Sequence, residues 1–224
     1  MTTDTDTTTT DSLVINEIFF SIQGESTHVG RPCVFVRLTG CNLRCRWCDT
    51  EYAFYEGART SVSDVVDRVC AYGCDLVEIT GGEPLLQKPV YPLIDTLLAR
   101  GKQVMIETSG SLDISDLDPR VIRIMDLKCP GSGECEKNLW SNLDYLTSRD
   151  ELKFVIRDRA DYEWARDTIR ARKLDARVGA VLISCVHSEL DPAQVASWIL
   201  DDKLPARLQI QLHKVLWPGV ERGV

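Results

Sequence analysis

The sequence predicts an α/β protein built on a largely parallel sheet. Short runs of β-branched residues alternate with longer amphipathic stretches along the chain. The strand-like runs stop abruptly at polar or glycine residues, as in Thr80-Gly81-Gly82-Glu83, Glu107-Thr108-Ser109-Gly110 and Asp126-Leu127-Lys128. With 224 residues, 44% of them apolar, the chain is long enough to bury one substantial core. Right-handed crossovers between parallel strands bring reactive groups to the carboxyl edge of a sheet, so those breaks are where chemistry is expected.

Met1–Asp11 is a Thr/Asp tract with almost no apolar content and predicts a disordered tail, which leaves residues 12–224 as one domain. Val14–Phe20 and Val34–Leu38 read as strands, and a cysteine-rich loop follows. Ser61 or Ser63 can cap a helix to Ala71 whose apolar face is Val62, Val65, Val66 and Val69. Leu76–Thr80 is a short buried strand. Val90–Arg100 is a helix entered from Pro89 and stopped at Gly101. Val104–Thr108, Val121–Asp126, Leu152–Arg157, Ala180–Val186 and Leu208–Leu212 complete the strands, with helices near Asp161–Arg172 and Pro192–Leu200 between the last three.

A net charge of −8 argues against a nucleic-acid or anionic-membrane surface, because phosphate binding needs clustered positive charge. No stretch approaches the roughly 20 apolar residues of a membrane span, and no apolar signal core follows Met1, so the expected location is the cytoplasm. Nine cysteines, an odd number, suit ligation of a metal or cluster better than a closed disulfide set.

Cys41, Cys45 and Cys48 lie in one loop at spacings of four and three residues, with Trp47 before the last. Thiolates suit zinc or iron–sulfur clusters. Structural zinc wants four protein ligands, whereas three thiolates on a cubane leave one iron free for a substrate or cofactor. The remaining cysteines read as small buried hydrophobes rather than as a second cluster.

The Cys41-x3-Cys45-x2-Cys48 spacing resembles the signature of the radical S-adenosylmethionine superfamily. Gly81-Gly82-Glu83-Pro84 resembles its motif for the methionine amino group. The resemblance implies a partial, splayed and trimmed (β/α)6-type barrel holding a 4Fe–4S cluster on the three cysteines. Its unique iron chelates S-adenosylmethionine, and one electron releases a 5′-deoxyadenosyl radical.

Within that superfamily, Glu17–Glu25 and the segment Gln211–Trp217 resemble the 7-carboxy-7-deazaguanine synthase family. The implied reaction is abstraction at C6 of 6-carboxy-5,6,7,8-tetrahydropterin, ring contraction and loss of ammonia, with the cofactor regenerated. The match carries Ile22, Gln23, Gly24, Glu25, Arg37, Thr80, Glu107 and His213 onto the substrate, and Thr50 onto Mg2+. Trp47, Cys48, Asp49, Gly82, Glu83, Asp126, Leu127, Lys128 and Ser184 fall on the S-adenosylmethionine side. A flavodoxin-type reductant and a homodimer are the implied partners. The alternative within the superfamily is a glycyl-radical activase, whose substrate is a protein.

On the residues alone the bland roles stay open. Arg37 reads equally as a salt-bridged strand residue, His213 as a structural hydrogen-bonder, and Glu107 and Thr50 as turn caps. Two positions depart from the family pattern: Ser26 stands where Gly is usual, and Asp126-Leu127 where Ser-Pro is often found before the Lys.

Overall fold

The computed structural model describes residues 11–224. Of the tail expected over Met1–Asp11, the first ten residues lie outside them, whereas Asp11 is held through its carbonyl, which accepts from the Val62 amide at 3.0 Å. Strands β1 (Ser12–Ile22), β2 (Pro32–Leu38), β3 (Ala58–Ser61), β4 (Leu76–Gly81), β5 (Gln103–Thr108), β6 (Ile122–Asp126), β7 (Glu151–Ile156), β8 (Ala180–Cys185) and β9 (Arg207–Gln209) form one sheet. Its order is β3-β1-β2-β4-β5-β6-β7-β8-β9. Every neighbouring pair from β2 to β9 is parallel, and the two ends of the sheet do not join. The expected open, partial barrel is what forms.

Helices α1 (Val62–Ala71), α2 (Val90–Ala99), α3 (Arg159–Arg172) and α4 (Pro192–Asp201) cover one face of this sheet. Each start has a local cause. The Ser61, Asp158 and Asp191 side chains accept from backbone amides of the first turns of α1, α3 and α4, and Pro192 opens α4. The buried face of α1 is Val62, Val65, Val66 and Val69, as the spacing predicts.

Strand alternation divides the molecule. Val34, Val36, Val77, Ile79, Val104, Ile106, Leu152, Phe154 and Ile183 pack beneath the helices in the main core. The alternate residues face the other way. Toward the amino ends they form a small apolar plug of Phe19, Cys33, Phe35, Leu76, Met105, Ile122 and Ile124. Toward the carboxyl ends the same rows turn polar and line a cavity of about 990 Å3.

Four departures from the sequence reading have physical reasons. First, β1 is antiparallel to β2, because only the loop 23–31 joins them, too short for a parallel crossover. A bulge between Ile15 and Glu17 shifts the register and puts Glu17 opposite Arg37. Second, the alternation of strand and helix lapses between β5 and β7, where loops carry only short 3-10 turns and Pro119, Pro130, Gly131 and Gly133 interrupt any helix. Third, β3 forms as a four-residue edge strand on β1, unanticipated from its polar sequence. Fourth, the strand expected to reach Leu212 ends at Gln209, and a short helix α5 (Leu212–Leu216) follows. The Leu212 amide donates to the Gly24 carbonyl at 2.9 Å instead of continuing the ladder. Among the described residues no helix is long and apolar enough to cross a membrane.

Candidate active site

The loop after β2 brings Cys41, Cys45 and Cys48 to the cavity, each half-buried and free. The Cys41 sulfur accepts from the Leu43 amide at 3.4 Å, and the Cys45 amide neighbourhood is fixed by the Arg46 N–H donating to the Ser132 carbonyl at 3.0 Å. Burial raises the Cys41 and Cys45 thiols above their ordinary range, while Lys128 works in the opposite direction on both. Among the described residues no three His, Cys, Asp or Glu side chains converge closely enough to hold a single ion. A cubane asks for something different, since each thiolate takes its own iron. Three free thiols from one loop at one cavity wall are the kind of donor set such a cluster takes. Cys129 also borders the cavity but directs its thiol at the Leu127 carbonyl, and Cys33 and Cys185 are buried as expected.

The paired glycines at the end of β4 pack against β2 and this loop. A Cβ on Gly82 would sit 2.2 Å from the Gly40 carbonyl oxygen and 2.7 Å from Cys41 Cβ, so no side chain fits there. Gly81 takes a φ of +150° with the Leu38 backbone as close. Close approach, not an ordinary tight turn, explains the pair.

Glu83 behaves differently from its neighbours. It is fully buried and does not border the cavity. Its carboxylate accepts from the Leu85 amide, the Thr108 hydroxyl, and the amide and hydroxyl of Ser109 at 2.5–3.0 Å. The geometry therefore makes it a clamp between the ends of β4 and β5.

The other expected residues all border the cavity. Arg37 donates through Nε to Glu17 at 2.7 Å, and Tyr52 donates to the same oxygen at 3.1 Å. Among the described residues its two terminal nitrogens donate to no protein group, so the salt-bridged and ligand-binding readings belong to different atoms of one guanidinium. Thr50 precedes a 3-10 turn without capping it, and its hydroxyl lies 3.7 Å from the Cys48 sulfur. Glu107 caps no turn; it takes Thr80 Oγ1 at 3.2 Å and the Lys153 ammonium. His213 packs over Gly24, where a Cβ would come within 2.2 Å of the imidazole. Burial first, then Lys214 and Arg37, lower its pKa, and its ring makes no hydrogen bond among the described residues.

Lys128 pairs with Asp126 Oδ2 at 2.6 Å, and Asn138 clamps its backbone from both sides. The other Asp126 oxygen is buried with no hydrogen-bond partner. Asp49 is tied to Gln211 and Lys214 at 3.2 Å each. Ser26, where Gly is usual, adopts a left-handed φ of +62°. It holds that conformation by donating its amide to Gln209 at 2.7 Å and accepting from the His28 amide at 3.0 Å.

Two residues that sequence reasoning passed over complete the wall. Lys153, in the middle of β7, reaches Glu25 at 3.0 Å and Glu107. Glu78, on β4, receives the Gln23 amide, and its pKa is pushed up to about 8 by burial first and by Glu107 second. The signal was present: Glu-Leu-Lys and Val-Glu-Ile place charges inside otherwise buried strands, and a buried charge demands a partner.

The radical SAM superfamily model matches residues 35–191 of the chain. The chain is 45% identical to the 7-carboxy-7-deazaguanine synthase of Koribacter versatilis, over 94% of its own length and 99% of the relative's. It is 42% identical to that of Chlorobaculum tepidum, over 95% and 97%. QueE from Escherichia coli superposes with a TM-score of 0.72 at 26% identity, over 90% of this chain and 95% of that one. With the open parallel sheet, the three-cysteine loop and the glycine pair that abuts it, these matches place the chain among the radical SAM enzymes, in the 7-carboxy-7-deazaguanine synthase family.

Proposed function

We propose that the protein converts 6-carboxy-5,6,7,8-tetrahydropterin to 7-carboxy-7-deazaguanine with loss of ammonia, a step toward queuosine or related 7-deazapurines. The reading is carried by one observation: a single cavity is bordered by the three free cysteines of one loop, Cys41, Cys45 and Cys48, and also by the cation and acceptors that a carboxylated pterin requires. The compared relatives bear the name of that synthase and not of a protein activase.

Cys41, Cys45 and Cys48 would hold the 4Fe–4S cluster. Trp47, Asp49, Gly82, Asp126, Leu127, Lys128 and Ser184 would face S-adenosylmethionine. Bound there, the two groups supply one-electron cleavage of a sulfonium and hydrogen abstraction at the substrate's C6, the cofactor being regenerated. The Asp126 oxygen that accepts no hydrogen bond suits the cofactor's ammonium. The two open nitrogens of Arg37 form a fork for the substrate carboxylate. Glu25 and Glu107 accept from the amino-pyrimidinone edge, the loop Ile22–Gly24 and Thr80 shape its seat, and the neutral His213 ring is available as a further polar contact. Thr50 offers one oxygen to Mg2+, an ion that otherwise keeps its waters.

A homodimer and a flavodoxin-type donor belong to the same proposal. So does the cytoplasm, whose reducing conditions match nine free thiols. The test is anaerobic reconstitution followed by incubation with the pterin, S-adenosylmethionine and reductant. Product of the deazaguanine mass is expected, and its absence from cluster-loaded protein overturns the assignment.

A further inference from the structure

β7 sends one buried ammonium into the cavity wall. Lys153 has a side chain only 7% exposed, and its Nζ meets carboxylates from three distant parts of the chain. Glu25 follows β1 and lies at 3.0 Å, Glu107 ends β5, and Asp126 ends β6 with its Oδ1 at 3.6 Å. We propose that Lys153 is a positioning residue of the substrate pocket, holding Glu25 and Glu107 as ionised acceptors for the N–H groups of the ligand's amino-pyrimidinone edge. This rests on the pterin reading above.

An ammonium has three N–H groups; here two go to Glu25 and Glu107, and the third side faces Asp126 Oδ1 at the longer ion-pair distance of 3.6 Å. Lys153 therefore acts through its partners. Glu25 is further fixed by the Gln209 and Gln211 amides at 2.9 Å each, one on each oxygen, and Glu107 by Thr80. Glu25 thus receives three donors and Glu107 two, fewer than the roughly four that a carboxylate can accept, and both residues border the cavity. Without the central charge, burial and mutual repulsion would protonate the group, turning an acceptor into a donor. Burial, Glu25 and Asp126 already raise Glu107, and Lys153 opposes them. Glu78 from β4, Arg37 from β2, Lys128 beyond β6, Asp49 from the cysteine loop and His213 from α5 complete the field around it.

The experiment measures kcat and KM for the pterin against pH in reconstituted wild type, Lys153→Met and Lys153→Arg. Lys153→Met is expected to raise KM about tenfold, the loss of one charge-assisted hydrogen bond. It should also move the acid limb of kcat/KM to higher pH, while the cluster's spectral response to S-adenosylmethionine persists. Lys153→Arg keeps the charge and should keep the limb in place. A wild-type KM and limb in Lys153→Met overturn the proposal. Should that variant fail to hold its cluster, Lys153→Arg decides: an unmoved limb supports the proposal and a displaced one overturns it. An infrared titration of the carboxyl stretches in the holoenzyme reads the same shift without substrate, and carboxyls that titrate alike in wild type and Lys153→Met overturn it. Failure of wild type to turn over the pterin is a separate result, and it removes the substrate reading alone.

Discussion

Four donors meet the carboxylate of Glu83 with no solvent at hand, so truncating it leaves amides and hydroxyls at two strand ends without acceptors. Glu83→Ala is expected to cost about 3 kcal/mol of stability, read as a lower urea midpoint of the cluster-free protein. A midpoint equal to wild type would remove the clamp. The sequence showed a Glu after two glycines and, by resemblance, a cofactor contact; it did not show which way the side chain turns. Arg37 was legible as a cation on a strand, but the division of its nitrogens between Glu17 and the cavity depends on the bulge that brings Glu17 opposite. The cysteines were legible outright, since their spacing within one loop is itself the geometry.

Elements were read well where one face is apolar and poorly where pairing is decided by distant chain. The face of α1 and the parallel strands β4 to β8 follow from local pattern. The edge strand β3 and the turn into α5 depend on partners tens of residues away, which periodicity does not report, and periodicity is equally silent on strand direction, which the short loop 23–31 sets for β1. β4 also shows what a charge inside a strand does to stability. Glu78 retains its proton in the folded protein up to about pH 8, against an ordinary value of 4.5. The folded state thus binds more protons than the unfolded one between those values, and stability falls as pH rises through that window. Wild type is expected to lose more stability across it than Glu78→Gln, in denaturation curves taken at several pH values. Parallel curves for the two proteins would count against a protonated Glu78.

Taken as a whole, the molecule closes its cavity with chain that is not strand. Residues 217–222 and Val224 border the mouth, and Arg222 ties them down, pairing with Glu56 at 2.7 Å and stacking over Tyr52 at 4.0 Å. The pair is exposed and screened by solvent, so the tether is a weak one. Arg222→Ala should speed limited proteolysis within 217–224 while leaving the unfolding midpoint unchanged. Equal cleavage rates would show that the tether does not order the segment. Deeper in, Leu212 bonds Gly24, and Gln209 and Gln211 hold Ser26 and Glu25, so the seat of the expected ligand joins two ends of a long chain. During translation the loop at 22–26 leaves the ribosome well before residues 209–213 exist. A nascent chain can assemble the cysteine loop and most of the sheet, yet it has no finished pocket until synthesis has passed α5.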